Sequence, residues 1–375
     1  MTTRVALVHD YLNQRGGAER VFRHVADSYP QAPIYTSLFD ASATGDLVDA
    51  ARVRTSALQM LPGSSRYFRF LAPLYPAAFE HFDLSPYDLI VSTTTAWAKG
   101  VRFRPDAVHV CYIHTVSRFA FAYDDYVGGF SALGTGKGLR SRLVRPVVDR
   151  LVAWDRRAAA RPTAFVANSR NVAERVRRYY GRDAFVVHCP VDIDRFSVGD
   201  GSGDYVLVAS RLLAYKRVDL AIEACRRASV RLLVVGTGPA LDDLKTAALG
   251  TRTEFLGSLS DAELTKLMGC ARAIVVPGEE DYGLVPLEAS ACGRPTIAYG
   301  RGGALETITP GVTGEYFAEQ TPDSLAGVLR TFDPGRYDAA TLRAHAENFA
   351  PDRFKATFTA LVDEIVAGKR PPATL

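Results

Sequence analysis

The feature that most constrains this chain is a repeat: apolar runs of strand length alternate with amphipathic helical stretches, in two successive series. The first series of runs lies at residues 4–9, 33–37, 89–92, 108–113, 165–167 and 185–188, and the second at 205–209, 231–235, 254–256, 273–276 and 296–298. Helical stretches at 18–28, 217–228, 240–248, 261–270 and 286–292 separate most of them, the first with Val21, Phe22 and Val25 on one face. The runs are continuously apolar instead of alternating, the pattern of parallel strands covered on both faces. The predicted class is α/β, with two doubly wound parallel sheets facing a central cleft and ligands bound beyond the carboxyl ends of the strands.

A length of 375 residues suits two domains. The segment RFSVGDGSGD at 195–204 lacks periodicity and reads as part of a linker, which divides the chain into 1–190, a linker at 191–204, and 205–350. The remainder, 351–375, reads as a helix with Phe354, Phe358, Leu361, Val362 and Ile365 on its apolar face; pattern alone leaves open whether it packs on the second domain or crosses back to the first. With 47% hydrophobic residues the chain does not have a disordered composition. No apolar run is long enough to span a bilayer, and the opening MTTRVALVHDYL lacks the features of a signal peptide, so the expected compartment is the cytoplasm.

Five scattered cysteines and seven histidines form no metal-ligand spacing, and no D-x-D pair suits a donor-bound divalent ion, since Asp192 and Asp194 fall in the linker region. Neither a metal nor another cofactor is expected. The net charge of +4 is too small to suggest a nucleic-acid partner. It is unevenly spread: residues 1–164 carry 20 Lys and Arg against 14 Asp and Glu, and residues 165–375 carry 25 against 27.

Four places carry chemistry. Gly16-Gly17-Ala-Glu-Arg follows the first strand and opens a helix, so its amides suit an oxyanion, or it is an ordinary strand-to-helix turn. Glu280-Asp-Tyr-Gly-Leu-Val-Pro-Leu-Glu288 places one carboxylate on a loop and another in a short helix, with the turn at Gly283 between them; the alternative is a pair of solvated glutamates. Arg211 and Lys216 follow the first strand of the second series, where cations suit an anionic ligand or form a surface cluster. His114 ends the run at 108–113 and, at its reference pKa, exchanges protons near neutral pH; His9 is the second choice. A competing pattern is Leu232-Leu-Val-Val-Gly-Thr-Gly-Pro-Ala-Leu241, which begins like a dinucleotide fingerprint but has Leu241 where the third glycine belongs.

These pieces together resemble the retaining family-four glycosyltransferases of GT-B fold, over nearly the whole chain. The resemblance rests on GGAER at 16–20, IHT at 113–115, ANSRNVAERV at 167–176, PVDIDRF at 190–196, SRLLAYKRVDLAIEA at 210–224, VVGTGP at 234–239 and EEDYGLVPLEASACGRP at 279–295. The last contains the E-x7-E motif and is the most specific. The form of the motifs is similar to bacterial mannosyltransferases of surface-polysaccharide and lipid-linked glycan assembly.

The resemblance implies a hexosyltransferase using GDP-mannose, retaining and metal-independent. It implies that Gly16 and Gly17 lie near the donor phosphates, that Arg211 and Lys216 neutralise the diphosphate, and that His114 touches the donor sugar. Glu280 would bind sugar hydroxyls, Gly283, Leu284 and Val285 would approach the sugar-diphosphate by their backbone, Glu288 would hold the ribose, and Gly236 and Gly238 would line the nucleotide pocket. The acceptor would be a glycan or a polyprenyl-diphosphate-linked glycan. Arg52, Arg54, Arg66 and Arg69 interleave with Met60, Leu61, Phe68, Phe70, Leu71, Leu74, Tyr75 and Phe79, and a second basic stretch covers 137–161. Both suit an anionic membrane surface, placing the protein on the inner face of the cell membrane, although a solvated face over a core fits as well. The alternatives are a non-catalytic nucleotide-binding protein of the same fold and a nicotinamide-dependent oxidoreductase.

Overall fold

The apolar runs form parallel strands in both halves of the chain. The computed structural model describes residues 3–117 and 139–368, with the side chains of 139–144 outside the description. Two units divide the chain: residues 3–117, 139–190 and 352–368 belong to the first, and 191–351 to the second. The first unit holds β1 (Val5–His9), β2 (Ile34–Thr36), β3 (Val53–Thr55), β4 (Leu89–Thr94), β5 (Val108–Ile113), β6 (Ala164–Ala167) and β7 (Ala184–Val186), in the order β3-β2-β1-β4-β5-β6-β7. The second holds β8 (Tyr205–Ala209), β9 (Arg231–Val235), β10 (Thr253–Gly257), β11 (Ala273–Val276), β12 (Thr296–Tyr299) and β13 (Gly314–Phe317), in the order β10-β9-β8-β11-β12-β13.

The longer helices are α1 (Gly17–Ser28), α2 (Leu139–Ala158), α3 (Arg170–Tyr180), α4 (Val218–Ala228), α5 (Leu241–Ala247), α6 (Asp261–Cys270), α7 (Leu284–Ala291), α8 (Pro322–Thr331), α9 (Ala339–Glu347) and α10 (Pro351–Val366). In the second unit Val206, Val208, Leu232, Val234, Val275 and Ile297 pack with Leu220, Ala221 and Ala224 of α4 and Leu325 and Ala326 of α8. The alternate residues Leu207, Leu233 and Ile274 are buried as well, which is why these strands read as unbroken apolar runs.

Two features depart from the sequence expectations, and a third resolves what the pattern left open. Strands β3 and β13 lack the continuous apolar character that marks the inner strands: β3 is VRT with two exposed positions and β13 is GEYF with two half-buried ones. Residues 191–204 are part of the second unit. Gly199 N donates to Cys292 O (3.1 Å), Gly201 N to Gly269 O (3.0 Å) and Gly203 N to Cys270 O (2.8 Å). A Cβ at Gly199 would lie 2.3 Å from the Gly269 backbone, so that glycine serves close packing of backbone on backbone. Finally, α10 belongs to the first unit, where Phe354 and Phe358 each set a ring edge-on to Tyr112 with centroids 5.7 Å apart and Lys355 reaches Asp27 (3.7 Å).

Strand order reverses between β1 and β4 in the first sheet and between β8 and β11 in the second, and at such points the chains leave toward opposite faces. In the first unit the gap is closed by Asp10, directly after β1 and 1% exposed. Its Oδ1 accepts from Thr94 Oγ1 (2.8 Å), Trp97 N (2.9 Å) and Ala98 N (2.7 Å), and its Oδ2 from Thr95 N (2.7 Å), Thr95 Oγ1 (2.8 Å) and Ala96 N (3.0 Å). Burial raises the carboxyl pKa, but neighbouring His9, the amides of Ala98 and Thr95 and the Thr94 hydroxyl outweigh it and hold the group below its usual value. The loop that Asp10 gathers leads to Lys99, whose ammonium is fully buried against Asp155 of α2 (2.5 Å), itself hydrogen-bonded by Ser117 and Tyr180.

Removing the Asp10 carboxylate takes the acceptor from four amides, of which Trp97 N and Ala98 N are fully buried. Asp10→Ala is expected to destabilise the first unit by about 4 kcal/mol. The chain's two tryptophans, Trp97 and Trp154, both lie in that unit and are buried, so urea unfolding followed by tryptophan fluorescence reads it selectively. An unchanged midpoint would refute the role given to Asp10.

Candidate functional site

The sequence-predicted residues fall on the carboxyl edges of the two sheets. In the first unit, β1 ends at His9, whose Nδ1 is 2.5 Å from Thr93 Oγ1 of β4 and whose ring stacks on Phe22 of α1 at 4.6 Å. Burial lowers the His9 pKa to about 4 against the opposing pull of Asp10. His114 follows β5; its amide donates to Thr94 O (2.9 Å) and its carbonyl accepts from Asn168 Nδ2 (3.0 Å). The ring is 7% exposed, and burial, with His9 adding to it, pushes its pKa down to about 3. The expectation of proton exchange near neutral pH is therefore corrected: His114 is a neutral imidazole there, and its chemistry is hydrogen bonding. Its Nε2 is buried without a hydrogen-bond partner among the described residues.

Gly16 is the extended N-cap of α1 and Gly17 its first residue. A Cβ on Gly16 would lie 2.6 Å from Glu19 Oε2, and Glu19 is 2% exposed, with Gln14 Nε2 donating to its Oε1 (3.2 Å). The bare Gly16 backbone thus makes room for a carboxylate of its own helix. The anion at this helix end in the structure is Glu19, third residue of α1, where negative charge complements the helix dipole.

In the second unit, Ser210 and Arg211 follow β8. The loops after β8 and β9 are zipped together, with Leu212 N donating to Thr237 O (2.9 Å) and Ala240 N to Leu212 O (3.1 Å). Gly236 and Gly238 are required by this approach: a Cβ on Gly236, at φ 129°, would lie 1.9 Å from Ser210 O, and one on Gly238 would lie 2.3 Å from Leu212 O. Both glycines therefore line the backbone around Arg211. The Arg211 side chain is exposed, and Ser210 Oγ is buried without a partner among the described residues.

Lys216 ends a 3-10 turn, and the next residue, Arg217, holds the left-handed conformation at φ 52°. Such a conformation is costly for a residue with a side chain and is held here by its surroundings: Arg217 Nε donates to Asp219 and Nη1 to Gln320 Oε1 (3.4 Å). Gly278, after β11, lets the turn pass, since a Cβ there would lie 2.7 Å from Tyr215 O. The outcome is that Lys216 Nζ sits 2.7 Å from both Oε1 and Oε2 of Glu280, at the strand-order reversal of this sheet.

Glu280 is fixed by its backbone, which bridges to Gly302 and accepts from Gly303 N (2.8 Å). Gly283, at φ 94°, turns the chain into α7, and a Cβ placed on it would lie 3.6 Å from Glu280 Cβ. Leu284 and Val285 are the first residues of α7, whose leading amides have no intrahelical acceptor. Glu288 lies one turn along the same helix, half-buried on the face of Leu284. The structure thus brings Lys216, Glu280 and Gly283 together, sets Gly236 and Gly238 around Arg211, and puts Glu288 farther along α7. Asp10 and Gly278 carry no motif in the sequence; a polar residue directly after an apolar strand was the available signal for Asp10.

The buried histidines give the first unit a pH signature. Burial lowers His9 to about 4 and His109 and His114 to about 3, below the unfolded value of 6.5. The unfolded chain binds more protons between those limits, so the stability contributed by these groups is present above pH 6.5 and is lost as pH falls toward 4. The expected slope is roughly 1.4 kcal/mol per pH unit for each histidine. His109→Gln is expected to reduce the slope by one proton, and a slope identical to wild type would refute the assignment.

Two family models match the chain: "Glycosyltransferase Family 4" over residues 15–195 and "Glycosyl transferases group 1" over residues 192–339. A D-inositol 3-phosphate glycosyltransferase of Mycobacterium avium is 34% identical over 203 residues, covering 47% of this chain and 47% of that protein. The chain thus spans about half the length of that curated relative. A GDP-mannose-dependent alpha-(1-6)-phosphatidylinositol monomannoside mannosyltransferase of Mycolicibacterium smegmatis is 29% identical over 273 residues, covering 61% and 71%. The crystal structure of Anabaena HepE in complex with UDP and glucose shares the fold at a TM-score of 0.68 and 19% identity, covering 96% of this chain and 100% of that one. With one model on each parallel-sheet unit and a fold shared end to end with GT-B proteins, the chain belongs to the GT-B glycosyltransferases of family 4 and group 1.

Proposed function

We propose that this chain transfers a hexose from a nucleotide-sugar, mannose from GDP-mannose, to a glycan or polyprenyl-diphosphate-linked acceptor in surface-polysaccharide or glycolipid assembly, with retention of anomeric configuration. The observation that carries the reading is the Lys216–Glu280 pair at the strand-order reversal of the second sheet, on the same post-β8 segment as Arg211. Breaking the bond between the anomeric carbon and the diphosphate leaves negative charge on the leaving group. Arg211 and Lys216 stabilise that charge where it develops, and in this reading they take the part a metal plays elsewhere. The leading amides of α7 add the positive end of a helix. Glu280 accepts hydrogen bonds from sugar hydroxyls and Glu288 from the ribose, each carboxylate oxygen having two lone pairs. Gly236 and Gly238 border the nucleotide, and His114 meets the sugar through its buried ring nitrogen. For Gly16 and Gly17 the reading keeps a place near the donor, with Glu19 already at their helix end.

Mannose and GDP are supported by the mycobacterial relative, whereas the HepE structure holds UDP and glucose. Thermal shift across GDP-, UDP- and ADP-sugars separates these, because a ligand that binds the native state raises its melting temperature. The largest shift is expected with GDP-mannose, and Glu280→Ala is expected to reduce transfer by about 100-fold or more while keeping the fold. A larger shift with a UDP-sugar would replace the donor, and full activity of Glu280→Ala would remove Glu280 from the site.

The same reading places the first unit on an anionic membrane. Residues 57–74 form two 3-10 helices that bury Leu58 and Phe68 but expose Met60 (85%), Phe70 (61%), Tyr67 (53%) and Leu74 (46%). Arg66 lies over the Tyr67 ring and Arg69 over Phe68, suiting a lipid headgroup layer. Not every cation counted in the sequence contributes. Arg52 donates to Ala32 O and Tyr29 O at the end of α1, and Arg161 pairs with Glu80, while Lys137 lies outside the described residues. No helix among the described residues is long and apolar enough to cross a membrane. Flotation with phosphatidylglycerol vesicles at low salt is expected to carry the wild type upward and to lose Phe70→Asp. Equal recovery of the two, or no flotation of the wild type, would overturn the membrane reading.

A further inference from the structure

We infer that Glu280 acts as an internal competitor for the diphosphate-binding ammonium of Lys216, so that the site favours an intact nucleotide-sugar over the nucleoside diphosphate left after transfer. The inference rests on the donor reading above and concerns what the same two residues do when no sugar is present. Both carboxylate oxygens of Glu280 are 2.7 Å from Lys216 Nζ, an arrangement that presents the ammonium with two anionic oxygens, as a phosphate would. Each side chain is 17% exposed, so the pair is open to a ligand. The pairing is built by the backbone on both sides. Arg217 in its left-handed conformation and the bare Gly278 fix the turn that carries Lys216, and the bridge to Gly302 and the Gly303 amide fix Glu280.

A diphosphate that reaches Lys216 therefore meets a carboxylate already on it. With an intact donor, sugar hydroxyls donate to Glu280 and replace the hydrogen bonds it yields, and the carboxylate ends facing donors. With a nucleoside diphosphate alone, no hydroxyls arrive there. Two anions then share one ammonium, which disfavours the complex through like-charge repulsion in a partly desolvated site. Once the sugar has left, Glu280 recaptures Lys216 and the product loses its cation. Glu280 is in this sense a specificity-determining residue as well as a sugar ligand, and product release is built into the resting pair.

The test measures dissociation constants of GDP and GDP-mannose by titration calorimetry, with UDP and UDP-glucose in parallel, for wild type and Glu280→Gln. Glutamine keeps the hydrogen-bonding shape and removes the charge. Expected is about tenfold tighter binding of the nucleoside diphosphate by Glu280→Gln, with no gain for the nucleotide-sugar, so that the wild-type preference for the intact donor shrinks or inverts. The gain should vanish when Lys216→Met is added. Nucleoside diphosphate bound no more tightly by Glu280→Gln than by wild type overturns the inference and leaves the donor reading standing. If no nucleotide or nucleotide-sugar binds the wild type, the donor reading falls and this inference with it. Should Glu280→Gln fail to fold, Glu280→Ala carries the same comparison.

Discussion

Both sheets depend on what fills the gap where strand order reverses. At such a point two neighbouring parallel strands send their chains to opposite faces, and the backbone amides at their carboxyl ends point into the space left behind. In the first unit that space is occupied by the Asp10 carboxylate, which takes four amides and two hydroxyls on its two oxygens. Burying a carboxylate is expensive, and only a complete set of donors makes it tolerable. The strands β1 and β4, the loop at 94–98 and, through Lys99 and Asp155, helix α2 are held in one arrangement by this set. In the second unit the equivalent gap holds Lys216 and Glu280, partly exposed and paired with each other. One reversal point is closed by the chain itself and the other is left with charges a ligand can use.

The alternation of apolar runs and helices, and the E-x7-E segment, were legible because burial on both faces writes a continuous apolar pattern and because the glutamates stand at a fixed spacing around Gly283. Strands β3 and β13 were not, since VRT and GEYF, with their exposed and half-buried positions, do not write that pattern. Residues 191–204 read as a linker because a glycine-rich stretch without periodicity signals a connection as readily as close backbone approach, and sequence does not separate the two. Here Gly199, Gly201 and Gly203 hydrogen-bond to residues 269–292. The position of His114 at the end of its strand was visible in the sequence, but its titration was not: burial lowers its pKa far below the free value, and burial is a property of the folded neighbourhood.

Charge shows the same division between what composition tells and what placement tells. The first 164 residues are the basic ones, yet Arg52 and Arg161 are engaged with carbonyls and Glu80 of their own unit. Residues 191–351 of the second unit carry 16 Lys and Arg against 22 Asp and Glu, yet two cations stand at the proposed donor site, Arg211 exposed after β8 and Lys216 held on Glu280. Local geometry, set by Gly278 and the left-handed Arg217, decides what a charge does far more than the sum does.

The return of α10 to the first unit has a consequence for synthesis. That unit is assembled from segments on either side of the second, and Val191 N, just past the outgoing passage, is bonded to Phe349 O, just before the returning one, at 2.9 Å. A ribosome therefore finishes residues 191–351, the described part of the second unit, before it supplies Phe354 and Phe358 to cover Tyr112. The half of the molecule that begins first is completed last, and during that interval an apolar patch on its sheet waits for its cover.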